Sequence, residues 1–370
     1  MNQPVDAKAA RHDYYRRIAG HGLTPLWELM AALVPEQPRS PFRPHLWRYQ
    51  DIRPALLESG RLITAREAVR RVLILENPGM PGSSAITQSL YAGLQVILPG
   101  EVAPSHRHTQ SALRLIVEGE GAYTAVEGER VTMHPGDFII TPSWAWHDHG
   151  SEAEAAVVWL DGLDIPLVRF LDCGFAENLG AEVQPLTRPE GDALARFGAN
   201  LLPLDWTPAG ATSPVFAYPY ARSREALHRL ARAGDPDAVH GIRMQFINPA
   251  TGGPAMPTIG TTIQWLPAGF SGAGYRCTDG TVFHVIEGSG ECCLEGAVLP
   301  FGPRDTFVVP SWTEHRLAAH GECVLFAFSD RPVQRALGLW REWRASCAPR
   351  RAASWHPRCW VCRQRHGSPP

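Results

Sequence analysis

The sequence has little net charge and no long apolar run. Its 35 basic and 37 acidic residues leave a formal net charge of -2, which offers no electrostatic footprint for nucleic acid or for an anionic membrane. No stretch approaches the roughly 18 apolar residues of a membrane span, and the first residues lack the apolar core of a signal peptide. We therefore expect a cytoplasmic protein with a small-molecule partner, no nucleic acid and no membrane.

Cysteine is absent from the first 172 residues. None of the eight cysteines precedes Cys173, and a large cytosolic chain keeps its thiols reduced. Cys359 and Cys362, with two histidines nearby, resemble half of a zinc site, but a single Cys-x-x-Cys without a partner pair is a weak signal. We interpret residues 347–370 as a disordered tail.

The period of the apolar pattern divides the chain. Residues 1–75 show helical patterns, with Thr24 as an N-cap and Pro25 at the first helical position of one helix. From residue 76 the period changes to two, and Gly, Pro and Asp turns separate short strands. Closely spaced short strands favour a sandwich or small barrel.

One β-domain occurs twice. The segment from Val117 to His147 reappears from Ile286 to His315, with Glu-Gly, an apolar strand and Pro-Ser-Trp-x-x-His in the same order. We therefore predict six regions: a helical arm (1–75), a first β-domain (76–165), a linker with one helix (166–240), a second β-domain (241–330), a closing helix (331–346) and the tail.

Three histidines of the first copy indicate a metal site. His106 and His108 are two residues apart on a strand, so their side chains share a face. His147 follows a Gly-Asp turn and an apolar strand that ends at Pro142. Buried imidazoles need polar partners, and clustering three without a metal is costly. We expect these histidines to bind a metal ion.

The spacing resembles the cupin motifs. In the first motif, five residues separate Gly100 from the His-x-His pair. In the second motif, five residues separate Gly136 from Pro142, and four residues separate Pro142 from His147. In cupins these histidines converge on one metal inside a small barrel. The usual glutamate beyond His-x-His is replaced here by Ala112 and Leu113. Three neutral imidazoles leave a divalent ion with its full charge and open positions, which suits an anionic, chelating substrate plus oxygen.

The wider sequence resembles the gentisate 1,2-dioxygenase family of bicupin ring-cleaving dioxygenases. The resemblance runs from about residue 20 to 344 and rests on "LYAGLQVILPGE", the segment from His106 to Gly150, and "WLDGLDIP". It implies a mainly β bicupin with an N-terminal helical arm, assembled as a homotetramer. It also implies Fe(II), with O2 as co-substrate, and cleavage of gentisate between the carboxyl-bearing and adjacent hydroxylated carbons to give maleylpyruvate.

The resemblance also implies roles for individual residues. His106, His108 and His147 correspond to the iron ligands, and His149 to an acid/base and substrate-contact histidine, its alternative being an exposed turn residue. Arg114 shares a face with His108 by strand parity and can meet the substrate carboxylate, unless it is a structural partner of an acid. Further pocket positions are Arg70, Tyr91, Gln95 and Asp161.

Individual pocket positions suggest finer roles. Gln95 could contact bound ligand or dioxygen, and Asp161 could orient Arg114 or a histidine. Tyr91 stands where some salicylate-cleaving relatives carry tryptophan, which favours gentisate.

The second copy lacks the histidine pair. Tyr275 and Cys277 stand in its place and only His315 is retained, so we predict a metal-free, structural second cupin, with a Cys277/His315 site as the alternative. Three rival functions stay open. They are a salicylate or 1-hydroxy-2-naphthoate dioxygenase, a non-catalytic ligand-binding bicupin, and a metal-dependent sugar isomerase, which would need the missing glutamate.

Overall fold

The computed structural model describes residues 7–345. Its N-terminal segment contains α1 (Ala7–Ala19), α2 (Leu26–Leu33), β1 (His45–Trp47), α3 (Tyr49–Leu62), α4 (Ala65–Ala68) and β2 (Val72–Ile74). The short α4 begins at a capping box, in which the Thr64 hydroxyl and the Glu67 side chain each bond the other's backbone N–H. In the part of the chain described, no helix has the length and apolarity to cross a membrane.

The first barrel follows directly. Its strands are β3 (Tyr91–Ile97), β4 (Val102–His108), β5 (Ala112–Glu118), β6 (Ala122–Val126), β7 (Glu129–Thr132), β8 (Phe138–Thr141), β9 (His147–Ser151) and β10 (Val157–Leu163). A connecting segment then contributes α5 (Ile165–Phe170), β11 (Ala176–Asn178), α6 (Asp192–Phe197), β12 (Ala217–Tyr218) and α7 (Tyr220–Ala231). The barrel is closed by two facing sheets, in the orders β12-β8-β5-β10-β3-β2 and β11-β4-β9-β6-β7.

The second barrel repeats this plan. Its elements are β13 (Ile242–Gln245), β14 (Gly260–Leu266), β15 (Tyr275–Cys277), β16 (Thr281–Glu287), β17 (Gly290–Leu294), β18 (Ala297–Phe301), β19 (Thr306–Val309), β20 (His315–Ala319), β21 (Cys323–Ser329), α8 (Arg331–Ala336) and β22 (Glu342–Arg344). The two sheets run β1-β19-β16-β21-β14-β13 and β18-β17-β20-β15-β22.

The barrels pack against each other through their six-stranded sheets. Leu113, Phe138 and Leu160 of the first sheet share one buried apolar cluster with Phe326 and Phe328 of the second, and the Phe138 and Phe326 rings lie 5.3 Å apart. These strands are therefore buried on both faces, which explains their nearly unbroken apolar sequence. The polar side chains of the site stand on the opposite, inward face.

Two boundary regions differ from the sequence prediction. The arm is not purely helical, because β1 pairs with β19 of the second barrel and β2 with β3 of the first. The closing helix over 331–346 is too long: α8 ends at Ala336, Gly338 adopts a φ of +70°, and β22 then pairs with β15. Short edge strands of this kind are decided by distant partners rather than local pattern.

The structure also describes the predicted linker, but not the predicted tail. The linker holds three helices and two short strands rather than one helix. The predicted tail, including Cys359 and Cys362, lies outside the described residues. The six-region division of the chain stays a prediction.

Candidate metal centre

The three predicted histidines meet inside the first barrel. His106 and His147 are register partners on the antiparallel pair β4 and β9, and His108 lies one pleat further along β4. Their ring centroids are 4.4 to 5.3 Å apart, and one ligand nitrogen from each lies within 4.8 Å of the others. Strand pairing thus joins ligands that are about forty positions apart in the sequence.

Backbone carbonyls orient all three rings. The Nδ1 of His106 lies 3.3 Å from the Pro104 oxygen, that of His108 lies 2.9 Å from the Gln110 oxygen, and that of His147 lies 3.0 Å from the Ala145 oxygen. A carbonyl only accepts, so in His108 and His147 Nδ1 carries the hydrogen and donates, and the Nε2 lone pair is left for a metal. The Nδ1 of His106 also contacts the Arg70 guanidinium. Such outer hydrogen bonds are typical of metal-binding histidines.

The barrel also keeps these imidazoles neutral. Burial lowers the pKa of His106 to about 3, with a further contribution from the Arg70 charge, and lowers the pKa of His108 to about 4. Burial likewise holds the pKa of His147 well below its usual value. Neutral imidazole is the form that binds a metal. The donor set therefore fits a divalent transition metal.

Arg114 and Asp161 form a buried pair beside the histidines. They are register partners on β5 and β10, both nearly inaccessible to solvent. The Arg114 Nε lies 3.7 Å from the Asp161 carboxylate, and Nη1 donates to the Thr141 hydroxyl at 2.6 Å. Burial raises the pKa of Asp161 to about 6, although the Arg114 charge and the Trp159 indole oppose this shift. The guanidinium is thus held in one orientation.

His149 is buried. This agrees with the prediction that it lies in the pocket and excludes the alternative of an exposed turn residue. It follows His147 on the same face of β9, and its Nε2 lies 3.2 Å from Arg114 Nη2. Since Arg114 is the donor, Nε2 accepts and Nδ1 carries the hydrogen. That Nδ1 is buried with no hydrogen-bond partner, which leaves it available to a bound molecule.

Arg70, between α4 and β2, and Gln95 of β3 lie in the same region. The Arg70 Nη2 donates to the Pro104 carbonyl at 2.9 Å and lies 2.5 Å from the His106 Nδ1. Gln95 is buried on β3, opposite Trp159 of β10. Two guanidinium groups and one carboxylate therefore surround the histidines, and the pocket carries an excess of positive charge.

Tyr91 stands at the start of β3, where burial and the Asp161 charge raise the pKa of its phenol. A Cβ on Gly93 would lie 2.8 Å from the Tyr91 hydroxyl and still closer to the Val72 side chain. Gly93, which the sequence argument did not single out, therefore makes room for Tyr91 directly opposite Asp161.

Other supporting residues were also missed. Thr141 and Trp159 hold Arg114 and Asp161, since the Trp159 indole donates to Asp161 at 3.0 Å. The linker strand β11 pairs with β4 directly at His106 and His108. Strand parity could have placed Trp159 on the face of Asp161, but nothing local predicts the pairing of β11.

In the second barrel Tyr275 and His315 are register partners, as His106 and His147 are in the first. The Cys277 thiol donates to the Asp279 carbonyl at 3.5 Å, and burial raises its pKa. Among the residues that the structure describes, His106, His108 and His147 are the one group of three metal-type side chains close enough to share an ion. The metal-free second cupin stays a prediction.

A barrel with three convergent histidines beside a buried arginine, followed by a second barrel of the same plan, defines a bicupin with a metal centre. The cupin domain family matches residues 93–163 and 267–328. The chain belongs to the gentisate 1,2-dioxygenase family of ring-cleaving dioxygenases. It is 54% identical to gentisate 1,2-dioxygenase 1 of Aquipseudomonas alcaligenes over 90% of this chain and 96% of that protein.

Further relatives agree with this assignment. A gentisate 1,2-dioxygenase of a Streptomyces species is 39% identical over 89% of this chain and 94% of its own length. The crystal structure of salicylate 1,2-dioxygenase from Pseudoaminobacter salicylatoxidans, as an adduct with gentisate, has a TM-score of 0.85 at 34% identity and covers 93% of this chain and 96% of that one. The predictions of a mainly β bicupin and of a ring-cleaving dioxygenase are confirmed.

Proposed function

We propose that the chain cleaves the ring of gentisate, using Fe(II) and O2, between the carboxyl-bearing carbon and the adjacent hydroxylated carbon to give maleylpyruvate. The observation that carries the proposal is the convergence of three neutral histidines beside the buried Arg114. The 54% identical relative is named a gentisate dioxygenase, and the salicylate dioxygenase of the same fold has been crystallised with gentisate.

His106, His108 and His147 are the residues that would hold the iron. Iron supplies a Lewis acid and a redox centre through which electrons of an aromatic diol reach O2. The three neutral ligands leave its double positive charge intact, so anionic substrate oxygens are attracted strongly in a buried site.

Arg114 is the residue that we assign to the substrate carboxylate. Its guanidinium is fixed by Thr141 and lies beside Asp161, so it is oriented before the substrate arrives. Arg–carboxylate pairs are strong and directional because two N–H groups donate in parallel. Arg70 adds a second positive charge at the edge of the ligand set, and Gln95 adds a neutral hydrogen-bonding group.

His149 is the residue that we assign to proton transfer. It contacts Arg114 through Nε2 and keeps its other nitrogen unpartnered. A histidine held in this way can exchange a proton with the substrate hydroxyl while Arg114 holds the neighbouring carboxylate. We assign Asp161 to the orientation of Arg114, since its carboxylate lies 3.7 Å from the Arg114 Nε.

We also propose a homotetramer, as the family resemblance implies. Helix α2 buries none of its residues, and Leu26, Trp27, Leu29, Met30 and Leu33 are 42 to 63% exposed. An apolar helix of this kind is typical of a surface covered by another copy of the chain. Light scattering coupled to gel filtration measures the mass directly. A cytoplasmic location stays a prediction.

Oxygen uptake tests the proposed reaction. The protein is loaded with Fe(II) under anaerobic conditions, and gentisate, salicylate or 1-hydroxy-2-naphthoate is added with oxygen while product absorbance is followed. One O2 consumed per gentisate, with a ring-opened product, supports the proposal, and faster turnover of another ring would replace gentisate by that compound. Bound iron with no uptake on any of the three would favour a ligand-binding protein.

A further inference from the structure

The second barrel encloses a cavity of its own. It has a volume of about 60 Å³ and lies between β13, β14, β16, β20 and β21. Phe283, Leu317 and Ala327 form part of an apolar wall, and the exposed Gln245 and Arg335 also line it. The cavity belongs to the barrel without the histidine triad, so no metal ligand of the first barrel borders it.

An unpaired cation lies in this cavity. Arg243 of β13 lines the wall and is half-buried. Its guanidinium has no hydrogen-bond or ion-pair partner among the described residues, and Asp279, the carboxylate whose charge acts on it, already forms an ion pair with Arg331. The neighbouring Arg331 is compensated, since it donates to the Asp279 carboxylate at 3.1 Å and to the Tyr275 hydroxyl at 3.3 Å. Burial and the Arg331 charge lower the pKa of Arg243, but a guanidinium stays protonated near neutral pH.

Unpartnered polar atoms surround this arginine. His240 is 6% exposed and lines the cavity, and its Nε2 has no hydrogen-bond partner. Gln264, the register partner of Arg243 on β14, is 1% exposed, and neither its amide nitrogen nor its amide oxygen has a partner. Buried polar groups are nearly always hydrogen-bonded in folded proteins. A polar molecule in the cavity would supply the missing partner of His240, which lines it.

We infer that the second barrel binds a small monocarboxylate, held by Arg243 with His240 beside it. Apart from the solvent-exposed Arg335, the lining holds two arginines, and Asp279 pairs with one of them. One negative charge therefore balances the site, whereas a dianion would leave a charge buried without a partner. The apolar wall suits a short carbon chain. The volume admits about five water-sized groups, which matches acetate or pyruvate and excludes an aromatic ring with its substituents.

Fluorine NMR with fluoroacetate tests this site. The Fe(II)-loaded full chain is first saturated with gentisate without oxygen, so that the carboxylate position of the first barrel is occupied. It is then titrated with fluoroacetate, and the bound fraction is read from the ¹⁹F signal. We expect one site per chain, at least about tenfold weaker binding for Arg243→Gln, and partial rescue by Arg243→Lys. Ala327→Leu, which fills the cavity while keeping the charge, should weaken binding too.

Arg114→Gln in the first barrel is the matched control, and it should leave this binding unchanged. Binding that survives in Arg243→Gln, or that is lost in Arg114→Gln alone, would overturn the inference, as would no binding at millimolar fluoroacetate. Oxygen uptake with gentisate and the thermal midpoint verify that Arg243→Gln is folded, so loss of binding cannot arise from loss of the second barrel.

Discussion

The two barrels have the same strand order and opposite interiors. In the first, His106 faces His147 across β4 and β9, and Arg114 faces Asp161 across β5 and β10. In the second, Tyr275 faces His315, and the places of Arg114 and Asp161 are taken by Phe283 and Ala327, which also face each other. The same backbone therefore carries a histidine cluster and a buried Arg–Asp pair in one copy, and apolar side chains at the places of that pair in the other.

This difference distinguishes the residues that are needed for the barrel to fold from those that are needed for chemistry. Phe283, Leu317 and Ala327 belong to the inner apolar cluster of the second barrel, whereas the corresponding positions of the first barrel are Arg114, His149 and Asp161. The fold accepts both sets because an inward-facing position of a strand can hold either an apolar side chain packed against its neighbours or a polar side chain with a hydrogen-bond partner. Function lies in a few positions on a shared fold.

The largest effect is expected from removing a ligand. His147→Ala should lose bound iron and lower oxygen uptake by at least about a thousandfold, because a two-histidine set holds a divalent ion weakly. His315→Ala, the matched change in the second barrel, should keep both. Metal content by mass spectrometry and uptake rates provide the measurement. An active His147→Ala enzyme would contradict the ligand assignment.

A gain of metal would break the contrast between the barrels. The double change Tyr275→His and Cys277→His adds two histidines that face His315 in the register of the natural site. The His315 Nδ1 already donates to the Thr313 carbonyl at 3.2 Å, as His147 does to Ala145. We expect one additional divalent ion per chain, measured as metal stoichiometry after dialysis. An unchanged stoichiometry would mean that the second barrel cannot orient its ligands.

A smaller effect is expected at the carboxylate contact. Arg114→Gln should raise KM for gentisate by roughly 10- to 100-fold, because a charge-assisted bidentate contact is lost, while iron stays bound. Phe283→Leu, at the same place in the second barrel, should change KM little. Steady-state oxygen uptake and metal analysis separate these results. If KM stays the same and iron is lost, Arg114 supports the ligands instead.

The smallest effect concerns two aspartates that end equivalent strands. Asp164 accepts from the Ser111 N–H at 2.9 Å and from the Thr258 hydroxyl at 2.5 Å. Asp330 accepts from Gln334 at 3.1 Å through Oδ2, but its Oδ1 is buried without a partner. Burial raises the pKa of Asp330 to about 6, although its hydrogen bond to Gln334 opposes the shift.

The raised pKa of Asp330 predicts how the stability of the protein depends on pH. Between about pH 4 and 6 the folded protein binds more protons at Asp330 than the unfolded chain, so its contribution to stability falls as the pH rises through that window. Asp330→Asn removes this loss and should stabilise the protein by about 1 kcal/mol at pH 7.5 and by almost nothing at pH 4. Urea unfolding at both pH values measures it. Burial raises the pKa of Asp164 as well, but Asp164→Asn should destabilise the protein, because an amide NH2 would face either the Ser111 N–H or the Thr258 hydroxyl. Equal effects of the two variants would refute the contrast.

The local sequence pattern predicted the longer strands and the faces of their side chains correctly. The period of two predicted β3, β5 and β10, and strand parity placed His106, His108 and Arg114 on inward faces. It failed for β1, β2, β11 and β22, because three-residue strands have no intrinsic pattern and form only when a longer strand offers its edge.

The sequence by itself determined the strand alternation, the duplication and the spacing of the three histidines, because these follow from side-chain period and residue type. Only the tertiary structure decided which residues meet. It brought His147 to His106, placed β11 against the ligand strand, and gave Arg114 the partners Thr141 and Asp161. Those outcomes depend on pairing between strands far apart in the chain and on burial, which removes water as the competing partner.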